Sequence, residues 1–444
     1  MFKTLRDAWS IAEIRKKLLY TLLMLLIFRL GSAVVVPFLD TSTVSTWMAS
    51  NATGGNFLEY LDIITGGALS QATVFSLSIT PYINASIIMQ LLTYALPPLE
   101  RMRDEGEEGQ KRLNKITAAV SLALSVFMSF AYYLTLKNQM NAVVDGGSKA
   151  ANVFIAFVII LSFIAGTSIV VWMGNQINDK GIGNGISMLL FAGILARFPV
   201  MAGTLGELTK NEPQRYFFES LGILILFIAM IAFIVFMNAS ERRIPIQYAK
   251  RVVGRKQYGG QSTHIPLKVN TGGVIPVIFA QSLLQTPVII AAILGKGNGT
   301  GIGSKILKGM SQSNWCNPEE PIYSIGLVVY ILLIIAFAYF YTQITFNPLE
   351  IANNMKKAGG FIPGIRPGKP TSDYLNQILN YIVFIGAVGL SIVAFIPIFF
   401  NGVFKADVSF GGTSIIIIVG VVIETIKQVE SQMRVRYYKG FLND

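Results

Sequence analysis

Leu18 to Val36 reads LLYTLLMLLIFRLGSAVVV, 19 residues carrying a single charge, Arg29. As a helix rising about 1.5 Å per residue this stretch measures about 28 Å, close to the ~30 Å hydrocarbon core of a bilayer. Lys3, Arg6, Arg15, Lys16 and Lys17 precede it, and a basic stretch feeding an apolar run of this length does not read as a cleavable signal. Many more apolar runs follow, so this one is expected to stay in the protein as its first span. The others lie near 75–97, 116–136, 153–173, 182–200, 217–237, 271–294, 322–346, 375–400 and 413–426. Prolines at 81, 276, 287 and 397 interrupt these runs. Each is expected to kink a helix whose freed backbone groups are satisfied by neighbouring protein or water.

Composition agrees with that reading. Of 444 residues, 52% are apolar, a further 41 are glycine, only 14% are charged, and mean hydropathy is +0.55. A soluble chain of this length would form roughly three domains of ~150 residues each, but soluble domains are much less apolar. The chain is therefore expected to be an all-α membrane protein with ten transmembrane helices. One cysteine, Cys316, and one histidine, His264, leave no disulfide, no cysteine metal cluster and no zinc-protease or His-Asp-Ser arrangement. No metal, no cofactor and no enzymatic activity are expected.

Orientation follows from the loops, because cytoplasmic loops carry the excess of Lys and Arg. Counted alternately, one side holds 26 of these cations and the other 9, with Arg29 inside the first span completing the 36. Both termini fall on the richer, cytoplasmic side. Two cytoplasmic loops stand out. Residues 238–270 carry Arg242, Arg243, Lys250, Arg251, Arg255, Lys256 and Lys268 against one acid, Glu241; residues 346–373 carry Lys356, Lys357, Arg366 and Lys369. Ordinary positive-inside bias is one reading. The other is a structured finger offered to RNA or anionic lipid, both drawn by counterion release.

The spans hold few ionisable groups, which argues against an ion-coupled transporter, a class that keeps such groups at mid-membrane. Uncharged polar residues are present instead: Thr80, Asn84, Ser86 and Gln90 in the second run, Gln281, Ser282, Gln285 and Thr286 in the seventh. They either pack helices together, at about 0.6 kcal/mol each, or hold shut a seam that must open. Phe57 to Leu69, FLEYLDIITGGAL, is amphipathic and too short to span. It either caps the bundle or blocks a pore. GIGNG at Gly181 to Gly185 supplies tight turns before the fifth run, and GKGNGTGIG at Gly295 to Gly303 lacks the ending of a phosphate loop and reads as a linker.

Longer stretches carry a family resemblance. They are PYINASIIMQLL (Pro81 to Leu92), EGEEG (Glu105 to Gly109), DKGIGNGIS (Asp179 to Ser187), RRIPIQYAKR (Arg242 to Arg251), GGQSTHIPLKVNTGGVIPVIFAQS (Gly259 to Ser282), FNPLEIANNMKKAGGFIPGIRPGKPT (Phe346 to Thr371) and FGGTSIIIIVGVVIETIKQVESQM (Phe410 to Met433). Over essentially the whole chain the sequence resembles the SecY family, channel subunits of the bacterial Sec translocon.

The resemblance implies two inverted five-helix halves around an hourglass pore, here residues 1–200 and 201–444. It implies an aliphatic pore ring at Ile79, Ile83, Ile186, Leu190, Ile278 and Ile417. It implies a plug helix at about 57–69, through Phe57, Leu58, Tyr60, Leu61, Ile63, Ile64, Gly66 and Gly67. A lateral gate between the second and seventh spans would use Thr80, Asn84, Gln90, Gln281, Ser282 and Gln285. Ribosome and SecA would dock on Arg242, Arg243, Lys250, Arg251, Arg255, Lys256, Lys356, Lys357 and Arg366. Implied partners are SecE, SecG, the SecA ATPase, the ribosome, signal-bearing polypeptides and anionic lipids, at the plasma (inner) membrane. Two residues depart from the family pattern: Ser78 where glycine is frequent, expected to stiffen the gate helix, and Gln110 where arginine is frequent.

Overall fold

The computed structural model describes residues 2–51, 62, 65–211, 213–248, 251–253, 256–258, 262–293, 302–310, 315–316, 321–404 and 412–440. Each expected apolar run carries a helix. They are α2 (Ala12–Gly31), α4 (Thr80–Ala95), α6 (Glu107–Asn138), α7 (Lys149–Lys180), α8 (Gly185–Asn211), α9 (Pro213–Ala239), α10 (Ile275–Ile293), α12 (Ile325–Thr345), α14 (Lys369–Phe404) and α15 (Gly412–Gly440). Shorter helices lie between or before them: α1 (Phe2–Ser10), α3 (Thr41–Asn51), α5 (Pro97–Asp104), α11 (Ile302–Met310) and α13 (Pro348–Lys357). Among the described residues, α6, α7, α14 and the segment around α12 are long and apolar enough to cross a membrane by themselves.

The packing is that of a protein dissolved in lipid. On α6 the buried stripe is Thr117, Ser121, Ser125 and Ser129, at every fourth residue, while Leu122, Val126, Phe127 and Phe130 face outward. Small residues let helix backbones approach, and lipid receives the large apolar side chains. Helix α7 likewise turns Phe154, Phe157 and Trp172 out and keeps Gly166, Thr167 and Gly174 in. A Cβ on Gly166 would lie 1.9 Å from the Val74 carbonyl oxygen, so the position is closed to any larger side chain.

Two of the four expected kinks are helix starts. Pro81 occupies the first turn of α4 and Pro276 that of α10, where a missing N–H costs nothing and the fixed φ favours initiation. Pro287 and Pro397 do lie inside helices. The second run also begins later than expected: residues 75–79 are turns, and Ser78 lies in them with φ +44°. Ser78 thus sits in a left-handed turn before the gate helix, a conformation that favours glycine, and does not bear on the stiffness of the helix itself.

Helices α2, α6, α7 and α8 pack on one another, with α4 against α6; α9, α14 and α15 form a second group, which α12 joins through α14 and α10 through α12. The groups meet through α8 against α9 and α15, and on another side through α6 against α10. GIGNG is a knot in this assembly. The Ile182 N–H donates to Thr21 Oγ1 at 3.0 Å, the Gly183 N–H to Gln428 Oε1 at 2.5 Å and the Gly185 N–H to Asn178 Oδ1 at 2.7 Å. It thereby ties α2, α7, α8 and α15 at one point.

The basic loops are built as a sheet. Strand β1 (Glu241–Tyr248) pairs antiparallel with β4 (Ser262–Lys268), Ile244 facing Ile265 and Pro245 facing His264. Its other edge takes β5 (Gly360–Phe361), giving the order β4-β1-β5. A separate ribbon joins β2 (Arg251–Val253) to β3 (Lys256–Tyr258). Alternation along β1 buries Ile244 and Ile246 against Met355, Ile362, Leu375 and Leu379 and leaves Arg243, Pro245 and Gln247 outside.

Candidate functional site

The six aliphatics expected to form a ring occupy one hydrophobic cluster. Of the six, Ile79, Leu190 and Ile417 are buried, 0%, 6% and 4% exposed, and Ile83, Ile186 and Ile278 pack against the cluster partly buried. Four parts of the chain converge here. Ile186 and Leu190 lie four apart on one face of α8, and α10 and α15 bring Ile278 and Ile417. Ile79 precedes α4 and accepts the Ile83 N–H at 3.0 Å, which stacks this pair as well. Around them stand Met24 and Phe28 of α2 and Val170 and Met173 of α7. Aliphatic side chains offer no hydrogen bond, so such a constriction sheds water and ions yet has no specific grip on anything that enters it.

Just beyond the cluster lies the end of the amphipathic segment. Phe57, Leu58, Tyr60, Leu61, Ile63 and Ile64 fall outside the described residues, whereas Asp62 and the chain from Thr65 onward are described. Gly66 and Gly67 have φ +72° and +86° and form a left-handed turn. Asp62 is 1% exposed, and its carboxylate bonds Arg197 of α8 and accepts the Ser70 N–H at 2.7 Å. Arg29 of α2 donates to the Gly66 carbonyl at 3.0 Å, and Tyr132 of α6 donates to the Leu69 carbonyl at 2.9 Å. Sequence reasoning did not single out Asp62, Tyr132 or Arg197. The partner of Arg29, the single charge of the first apolar run, is a backbone carbonyl.

The gate residues are less closely assembled. Helix α10 packs on α6 of the first group, and its Ile278 shares the aliphatic cluster with Ile79 and Ile83 at the start of α4. Gln281 is buried, Gln90 donates to Ser86 of its own helix at 3.4 Å, and Thr286 donates to the Ser282 carbonyl within α10. Thr80, Asn84 and Ser282 are partly buried, and the Gln285 side chain lies outside the described set. At its C-terminal end α4 does cross to the second group: the Tyr94 ring meets Phe340 of α12 edge-on at 5.8 Å, and Arg103 lies 4.7 Å from the Tyr94 ring centre.

On the sheet, Arg242 and Arg243 are exposed, as are Lys356 and Lys357 at the end of α13 and Arg366 beyond β5. Arg243 bonds Glu241 at 2.7 Å, and this holds the Glu241 carboxyl below its usual range. Arg366 sits in a fixed turn whose carbonyl accepts the Thr371 hydroxyl at 2.8 Å, between Gly364 (φ +83°) and Gly368 (φ +102°). Arg251 and Lys256 lie on β2 and β3; Lys250 and Arg255 fall outside the described residues. The β1-β5 pairing joins the two basic loops in one sheet.

Fold and site together define a multi-pass helical membrane protein with an aliphatic cluster where four parts of the chain meet and a buried turn beside it. The model of the SecY family matches residues 73–426. The protein translocase subunit SecY of Streptomyces galbus is 40% identical over 449 residues, covering 100% of both chains, and that of Thermotoga maritima is 40% identical over 449 residues, covering 100% of this chain and 98% of the relative. The chain belongs to the SecY family. Its fold is that of a solved structure concerned with how the SecY plug domain stabilises the closed channel, with a TM-score of 0.67 at 19% identity over 94% of this chain and 92% of that one.

Proposed function

We propose that the chain is the protein-conducting channel of a plasma-membrane Sec translocon. Unfolded secretory polypeptides pass outward through the aliphatic constriction, and apolar helices leave sideways into lipid. The observation that carries this reading is the convergence of Ile79, Ile83, Ile186, Leu190, Ile278 and Ile417 in one cluster. A seal for chains of arbitrary sequence needs side chains that exclude water without bonding to the cargo. Residues 1–200 and 201–444 act as two halves of a clamshell, and both termini are cytoplasmic.

The channel is not an enzyme and draws its driving force from outside. The sequence holds no P-loop signature, so a SecA-type ATPase or a translating ribosome supplies the work. Both dock on the cationic face of Arg242, Arg243, Lys250, Arg251, Arg255, Lys256, Lys356, Lys357 and Arg366. A Sec61 structure from a canine ribosome-channel complex, with TM-score 0.64 and 18% identity over 94% of this chain and 92% of that one, supports the ribosome as partner. SecE and SecG complete the membrane complex, and anionic lipids meet the same basic residues.

The test is cross-linking in a Cys316→Ser background. A single cysteine at Ile83 or Ile278 should form a disulfide with a stalled secretory chain bearing one cysteine, and one at Phe157, 61% exposed on the outer face of α7, should not. If a chain shown to engage the membrane links at neither constriction position, the channel reading is lost.

A further inference from the structure

We propose that Arg197 latches the plug segment through Asp62. The inference rests on the channel reading. Asp62 is 1% exposed, and both carboxylate oxygens are engaged, one by the Ser70 N–H at 2.7 Å and the other by Arg197, whose side chain is 26% exposed. A carboxylate at that depth is unstable without a cation, and one was supplied from 135 residues away. The Asp62 carbonyl also accepts the Gly67 N–H at 2.8 Å, so the ion pair fixes the turn as well as the side chain. Leu190 and Arg197 share α8. Their spacing of seven residues, two turns or about 10 Å, sets the latch just beyond the constriction.

Among the described residues, three bonds hold this segment from elements before residue 200: Arg29 of α2 on the Gly66 carbonyl, Tyr132 of α6 on the Leu69 carbonyl, and Arg197 of α8 on Asp62. The backbone agrees, since a Cβ on Gly66 would lie 2.7 Å from the Gly193 carbonyl oxygen. Parting α6 from α10 therefore breaks none of these bonds. Hydration releases the latch: a buried pair loses most of its strength once water reaches it, and a polypeptide arriving through the constriction brings water to Asp62.

The experiment uses the full-length chain in planar bilayers and in vesicles. Arg197→Gln and Asp62→Asn are each expected to raise the open fraction of the resting channel at least tenfold. Arg197→Lys is expected to keep the seal, since it retains the charge. The double variant Asp62→Asn/Arg197→Gln strands no charge and is expected to leak no more than either single one. It is decisive if a single variant fails to fold. Folded neutral variants that seal like the parent overturn the latch, as does a double variant whose leak is the product of the two singles. Translocation on the same vesicles separates the two readings: a parent that moves no polypeptide sinks the channel, whereas one that translocates while Arg197→Gln stays sealed sinks only the latch.

Discussion

Ile417→Asn tests the constriction most directly. The side chain is 4% exposed and shares a cluster with Ile79 and Leu190. Removing it forfeits the burial of an isoleucine, about 1.5–3 kcal/mol, and the asparagine amide, lacking a partner among aliphatics, adds about 1–3 kcal/mol of desolvation. Ile83, Ile186 and Ile278 are only partly buried, so the rim is accessible to water and the lower end of the combined range applies. About 3 kcal/mol against the closed arrangement moves a two-state equilibrium toward the open one by roughly a hundredfold.

The assay is export of a reporter whose signal sequence is crippled, which the parent should reject and Ile417→Asn should pass. Ile417→Val is the control, costing about 1 kcal/mol without a polar group and shifting the equilibrium only about fivefold. If Asn and Val behave alike, at equal amounts of protein in the membrane, the cluster does not govern closure and the reasoning fails.

Ser78→Gly removes a left-handed strain, φ +44° at Ser78, of about 1–2 kcal/mol; the thermal midpoint in detergent should rise, and an unchanged midpoint refutes the strain. Gly185→Ala places a Cβ 1.9 Å from the Gly174 carbonyl oxygen and should lower the yield of folded protein sharply, whereas a normal yield would show that the GIGNG knot yields easily. Gly360→Val drives a side chain into the Tyr248 ring, 2.9 Å from its Cβ position; residues 346–373 should become protease-sensitive while 238–270 stay protected, and unchanged digestion would mean that β5 does not join the loops. Hydrogen bonds from Ser42 and Thr43 hold the Asp40 carboxyl at about 2 against its usual 3.8. A depressed pKa gives support that is whole above about 4 and lost as pH falls through about 2, so amide exchange at the start of α3 should quicken across that window and stay flat above it.

The spans were legible because a run of about 20 apolar residues is a direct statement of bilayer thickness. Their boundaries were less so: Pro81 and Pro276 read as kinks because an apolar run does not mark where its helix begins. The sheet was harder still. Pro245 and Pro266 lie within β1 and β4, and proline ordinarily argues against a strand. Strand β5 is only two residues long, too short for any periodicity. Its pairing to β1 depends on chain brought together from two loops about 110 residues apart.

The ring and the latch differ in a more instructive way. Ile278 and Ile417 are two among many aliphatics, and no local pattern separates a side chain lining a constriction from one facing lipid; only the surrounding family motifs selected them. Arg197 had the opposite problem. It is chemically conspicuous, but it stands at the end of the fifth apolar run, where a cation ordinarily belongs to the adjoining loop. Asp62 sits among the apolar residues of FLEYLDIITGGAL, where amphipathicity alone accounts for an acid. Each charge had a sufficient local explanation, so neither called for a partner. Burial supplies what the pattern lacked, because a carboxylate 1% exposed is no longer explained by a solvated helix face and requires a cation at contact distance.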